Sequence, residues 1–241
     1  ASLGLLTAWA VIRSQRSLLH AAEQLPCPPD ETGSHDKPGS LPLLLCLCFV
    51  SVLFTIAHMQ SSTTLLLWAR DHTERRFLRW ELPVPYMASL HSGLVIAVSP
   101  LASRLDLKFR TAKGIDRIFT KITIGMAVTS LAYVPLVLAA QLSGNMSRVS
   151  LGWLFACLLM LSLAELLVGA LGPSLVLRLA PMQQGGRWIG AWYVATAVGF
   201  WMAGRIGGLW DILPRSLFFA VLTVLPLLGV AVSLGSRRWL R

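Results

Sequence analysis

The sequence predicts an all-α membrane protein with six transmembrane helices. Three observations carry that expectation. Of 241 residues, 55% are hydrophobic and only 13% charged. The apolar residues come in blocks close to the roughly 20 that a helix needs to cross about 30 Å of hydrocarbon. The charges fall between and beside those blocks rather than within them.

In chain order, residues 1–40 precede the first block. The stretch GLLTAWAVI at 4–12 is too short to span, which suits the end of a truncated helix or an amphipathic accessory segment, and nothing there resembles a cleavable signal peptide. Residues 24–40, rich in Pro, Gly and acidic residues, read as a linker. The predicted spans within 41–241 are about 41–69, 84–103, 118–141, 150–180, 188–210 and 214–235, the longer ones extending past the bilayer. Between the first two, RDHTERRFLRWELP at 70–83 mixes both signs and places Trp80 as an interfacial anchor. The loop at 104–117 is basic, as suits a segment along the membrane surface, and Pro100, Pro135 and Pro173 are expected to kink their helices.

The formal net charge of +10 does not indicate a nucleic-acid partner, because of where it lies. If the first long span enters from the cytoplasm, cytoplasmic segments hold thirteen of the 21 Lys and Arg residues, against seven on the opposite side. The positive-inside rule then places both termini in the cytoplasm of a multi-pass inner-membrane protein, with the lipid bilayer as its main partner. Cys27, Cys46, Cys48 and Cys157 show no Cys-x-x-Cys spacing and read as small apolar fillers. No metal site or cofactor is predicted.

Of eleven acidic residues only Glu165 lies deep within an apolar block. A charged carboxylate there costs several kcal/mol in lipid, so it should face a water-filled cavity, meet a basic partner or stay protonated. Gly169 and Gly172 share its helix face at i+4 and i+7, as expected of a cavity wall. The plainer alternative is a neutral acid bonded to a neighbouring helix. A second polar run, FTIAHMQSSTT at 54–64, brings His58, Gln60, Ser61, Ser62, Thr63 and Thr64 into the first span. It suits a solute pathway, although Ser and Thr also bond back to their own helix. His91 is a third intramembrane polar group, and Trp192, Thr196 and Gly199 align on the fifth span as a cavity wall or a packing face. The chain has no H-E-x-x-H helix, no G-x-S-x-G elbow and no Walker loop, and one membrane acid does not make a catalytic pair, so no enzyme is expected.

The stretch ELLVGALGPSLVLRLAP at 165–181, followed by GAWYVATAVGFWMAG at 190–204, resembles the proton-dependent oligopeptide transporter family of the major facilitator superfamily. The likeness extends over about 41–235 and is to that family's C-terminal six-helix half, one half of a two-times-six transporter. Weaker support comes from Gln60-Ser61-Ser62, from Trp68 to Arg70, and from Pro83, Ser89-Leu90 and Pro100. The resemblance implies secondary active transport of di- and tripeptides or a related small solute by proton symport. It implies Glu165 at the peptide's amino terminus and Trp192 lining the cavity. Gln60, Ser61, His91 and Thr196, polar residues within the spans, are the further candidate substrate contacts. It also implies a partner N-terminal half, in the same or another chain. This chain departs from the family pattern at Met59, where many members carry an acid, at His91-Ser92 in place of Asn-Pro, and at Gly169-Ala170 in place of Ser-Pro. His58 and His91 are then, with Glu165, the candidates for proton coupling. The competing readings are a non-transporting membrane protein that keeps the fold as an assembly or sensing partner, and a facilitator for a non-peptide solute.

Overall fold

A computed structural model describes residues 41–77, 80–108, 115–144, 147–181 and 184–236. The accessory segment at 4–12, the linker at 24–40 and Cys27 lie outside the described residues.

The helices are α1 (Leu41–Met59), α2 (Thr64–Asp71), α3 (Pro85–Lys108), α4 (Ile115–Ala132), α5 (Val134–Leu142), α6 (Leu151–Val168), α7 (Leu171–Leu179), α8 (Gly185–Gly207) and α9 (Arg215–Ser236). Four stretches are long and apolar enough to cross a membrane: Leu41–Asp71, Ile115–Leu142, Leu151–Leu179 and Arg215–Ser236. Helices α3 and α8, at 24 and 23 residues, have similar length but are more polar, α3 through its serines and His91 and α8 through its glycines, Arg187 and Arg205. Among the described residues, four stretches thus meet the requirement for a span by length and composition.

Three of the four long stretches are interrupted, each for a local reason. Proline has no N–H to offer the carbonyl four residues earlier, and its ring crowds that carbonyl. A turn at Tyr133 divides α4 from α5 just before Pro135, and a turn at Gly169–Ala170 divides α6 from α7 ahead of Pro173. Pro100 and Pro226 lie inside helices that continue past them. The third interruption, between α1 and α2, contains no proline. There the polar residues Gln60–Ser62 tighten into a 3-10 turn, and Thr63 takes a non-helical backbone (φ −124°, ψ −92°).

Short pairings join the ends of the bundle. Strand β1 (Thr73–Glu74) runs parallel to β4 (Val149–Ser150), with Thr73 opposite Val149, while β2 (Arg76–Phe77) and β3 (Trp80–Glu81) form an antiparallel pair. The segment 70–83, expected to be a loop, therefore carries three two-residue strands. The β1–β4 pair puts the exit of α2 beside the entry of α6. At the other end Cys46 of α1 donates its Sγ–H to Ser236 Oγ of α9 at 3.4 Å. Because Cys46 lies near the start of α1 and Ser236 ends α9, this contact sets the two helices antiparallel.

One apolar core gathers Trp68, Tyr133, Trp210, Phe218 and Phe219 around the α2, α5 and α9 junction. A second joins Leu43, Leu47, Val50, Phe119, Met126, Val168 and Trp192. Leu45, Ile96, Val194, Trp201, Val224 and Leu234 face outward, leaving an apolar outer surface of the kind that meets lipid. Small residues allow close approach between helices. A Cβ on Gly199 of α8 would stand 2.7 Å from Thr55 Cβ of α1, and one on Gly172 of α7 would collide with the Trp192 ring. Cys46, Cys48 and Cys157 are free thiols.

A histidine–carboxylate cluster as the candidate functional site

Glu165 lies one turn before the end of α6, so its side chain projects near the α6–α7 break. His58 is the penultimate residue of α1, beside the 3-10 turn, and His91 lies in the second turn of α3. The fold brings these three residues, from three helices, to one place. Glu165 Oε2 is 3.7 Å from His58 Nε2 and 3.8 Å from His91 Nε2. Both gaps fall in ion-pair range and outside hydrogen-bond range. The histidine side chains are 13% and 12% exposed and that of Glu165 is 37% exposed, so the carboxylate opens outward while the imidazoles back it.

The surroundings fix the two imidazoles more firmly than the carboxylate. His58 stacks on Phe54 with ring centroids 5.2 Å apart and tilts against His91 at 5.5 Å. The buried Tyr133 hydroxyl donates to the carbonyl of Ala57, holding the backbone next to His58 where α1 tightens. On α6, Ser162 Oγ donates to Leu158 O at 2.8 Å and reaches His91 O at 3.5 Å, tying α6 to α3 one turn from Glu165. His58 Nδ1 and His91 Nε2 are buried and have no hydrogen-bond partner among the described residues. Two imidazoles and a carboxylate so arranged can bind a cation or share a proton.

The other residues singled out in the sequence lie elsewhere. Gln60 is fully buried: its Nε2 donates to Ala203 O at 3.1 Å and Ile56 O at 3.3 Å, and its Oε1 accepts from Thr64 at 2.8 Å and Thr63 at 3.2 Å. In this structure it joins α1 to α8 across the helix break and does not line an open surface. Ser61 is buried, and its hydroxyl has no partner among the described residues. Thr196 Oγ1 lies 3.0 Å from Ser51 Oγ and donates to Trp192 O, again between α8 and α1. Trp192 is 5% exposed and packs edge-on over Gly172. Gly172, expected on the wall beside Glu165, thus serves this packing. Tyr133 and Ser162 were not singled out in the sequence. A tyrosine just before the span's proline, in LAYVPL, was the one available sign of the first.

The fold and this cluster define a multi-pass helical membrane protein whose titratable groups sit inside the bundle. The chain belongs to the POT family, the proton-dependent oligopeptide transporters, whose family model matches residues 39–217. Members of this family are transporters, not enzymes. The chain is 30% identical over 170 residues to the peptide transporter YePEPT of Yersinia enterocolitica, covering 68% of this chain and 33% of that protein. To the dipeptide and tripeptide permease A of Escherichia coli it is 26% identical over 163 residues, covering 68% of this chain and 32% of the permease. It therefore spans about a third of the length of the curated relatives it matches. A crystal structure of a peptide transporter POT with sulfate superposes with TM-score 0.72 at 19% identity, over 80% of this chain and 39% of that one. A POT family transporter with 5-aminolevulinic acid gives TM-score 0.69 at 18% identity, over 82% and 40%. At these identities the structural likeness shows the shared fold alone.

Proposed function

We propose that the chain supplies the C-terminal six-helix half of a proton-coupled transporter for di- and tripeptides or a related small solute, and that Glu165 receives the solute's ammonium group. The observation that carries this is the placement of Glu165: a partly open carboxylate at membrane depth, backed by two fixed imidazoles. A carboxylate in that position keeps only part of a water shell, so an arriving ammonium gains more from it than it would on a fully wet surface. The imidazoles take the place of the acid that Met59 has displaced. A proton carried by one of the imidazoles or by Glu165 leaves or arrives as the ammonium comes and goes.

In this reading the spans are the six blocks named above, with α3 and α8 crossing alongside the four more apolar stretches. The N-terminal half, in the same or another chain, closes the cavity opposite Glu165, and alternating access is the rocking of one half against the other. The excess of basic residues in the segments assigned to the cytoplasm supports both termini lying on that side of the inner membrane.

Uptake of labelled dialanine into proteoliposomes bearing the full-length protein, under an inward proton gradient, tests the proposal. Glu165→Gln removes one partner of a desolvated ion pair, which costs about 2 kcal/mol or more, or roughly thirtyfold in apparent affinity. His58→Gln and His91→Gln should flatten the dependence of uptake on external pH. Wild-type uptake in Glu165→Gln defeats the assignment of the ammonium contact, and an unchanged pH profile in both histidine variants defeats the coupling role.

A further inference from the structure

We propose that His58, His91 and Glu165 form a binding site for a late first-row divalent metal ion of the zinc class, with one coordination position left open toward the exposed side of the carboxylate. The ligand atoms of the three residues all lie within 4.8 Å of one another, and they come from α1, α3 and α6. Two imidazole nitrogens and one carboxylate oxygen are the donor set of open zinc sites, and imidazole ligands favour Zn²⁺, Cu²⁺, Ni²⁺ or Co²⁺ over the hard cations. Ca²⁺ and Mg²⁺ ask for shells of oxygen, which this site does not offer.

The distances suit such an ion. Bonds of about 2.0–2.1 Å at tetrahedral angles set neighbouring ligand atoms roughly 3.3 Å apart. The two nitrogen–oxygen gaps of 3.7 and 3.8 Å need to close by a few tenths of an ångström, and the two imidazole nitrogens, which lie within 4.8 Å of each other, by up to about 1.5 Å, so that loading the ion turns the histidine side chains inward. Those gaps are also too long for the carboxylate to be satisfied by hydrogen bonds to the histidines. The buried Nε2 of His91 has no hydrogen-bond partner among the described residues, an unmet demand that a metal bond would answer. The partial exposure of Glu165 places the fourth position on the open side, where water or a solute donor can complete the shell.

The inference goes beyond peptide transport and is tested without a peptide. Tag-free full-length protein in detergent micelles is equilibrated with Zn²⁺ alone, dialysed and assayed for bound metal. One Zn²⁺ per chain is expected, lost in His58→Gln, His91→Gln and Glu165→Gln and kept in His72→Gln. A wild-type protein that retains no Zn²⁺, or three variants that retain it undiminished, overturns the proposal. X-ray absorption on the Zn²⁺-loaded wild type needs no substitution: a four-coordinate nitrogen/oxygen shell with outer scattering from two imidazoles is expected. A shell containing sulfur, or lacking imidazole, overturns it. Zn²⁺ retention without dialanine uptake would sink the transport reading and leave this site standing, and uptake without Zn²⁺ retention would do the reverse.

Discussion

Replacing Gln60 with Leu separates two roles that the sequence left together, a solute contact and a helix clasp. In the structure the amide of Gln60 bridges to Ala203 O on α8 and accepts from Thr64 across the α1–α2 break. Coupling energies for such bonds within membrane bundles average about 0.6 kcal/mol and reach about 1.7. Two of Gln60's bonds lack an obvious substitute, the bridge to α8 and the Thr64 pair. Thr64 is 2% exposed, so its orphaned hydroxyl adds about 1 kcal/mol of desolvation cost. The total is roughly 2 kcal/mol, up to about thirtyfold in the ratio of folded to unfolded protein. Reversible unfolding in mixed detergent–SDS micelles, followed by tryptophan fluorescence, measures it. A double-mutant cycle with Thr64→Val isolates the pair, with an expected coupling of about 0.6–1.7 kcal/mol. If Gln60→Leu unfolds like wild type yet abolishes dialanine uptake, the clasp reasoning is wrong and Gln60 is a solute contact.

Gly199→Val drives a branched side chain into Thr55 and toward the carbonyl of Val52, for which overpacking of this kind costs about 1–3 kcal/mol. In the same unfolding assay Gly190→Ala, which meets nothing within 4 Å, should not destabilise, and equal stability of the two variants would show that α1 and α8 do not approach as described. His72, just beyond α2, stacks on Trp68, and burial together with Arg215 lowers its pKa below the ordinary 6.5. The unfolded chain therefore takes up a proton at His72 before the folded one does. Stability from this site is complete above pH 6.5 and falls as the pH drops from 6.5 toward the folded value. His72→Phe should remove that part of the acid sensitivity, and an unchanged stability–pH curve would refute the sign.

The blocks of apolar residues were legible because lipid imposes a length and a composition on each helix. The helix breaks were legible where proline causes them, at Tyr133 and Gly169–Ala170. The break at Gln60–Thr63 was not, since QSST reads equally as pathway lining or as a self-satisfied turn. Glu165 stood out by its solitary cost, and His58 and His91 as polar groups at membrane depth. That the three share one point could not be read, because they belong to separate helices and no local spacing relates them. The same limit explains Gln60, Thr196 and Trp192. Polarity or aromaticity within a span marks a residue that needs a partner, but whether the partner is a solute or the next helix depends on contacts between distant segments. Ser51 and Thr196, which meet at 3.0 Å, are 145 residues apart in the chain.

That separation also bears on how the protein is made. Helix α1 finds its neighbours in α8 and α9, and its contact with Ser236 joins residues 190 positions apart. Segments enter the bilayer in the order of synthesis, so α1 is inserted long before the helices that cover it exist. In that interval its buried Ser51 and Thr55, and Gln60 just beyond it, face lipid or whatever stands in for the missing helices. An attendant insertase or chaperone that shields polar faces would act at this stage. Truncation before α8 should yield a chain that inserts but is cleared as misassembled, and α8 and α9 would then serve as the quality check on α1.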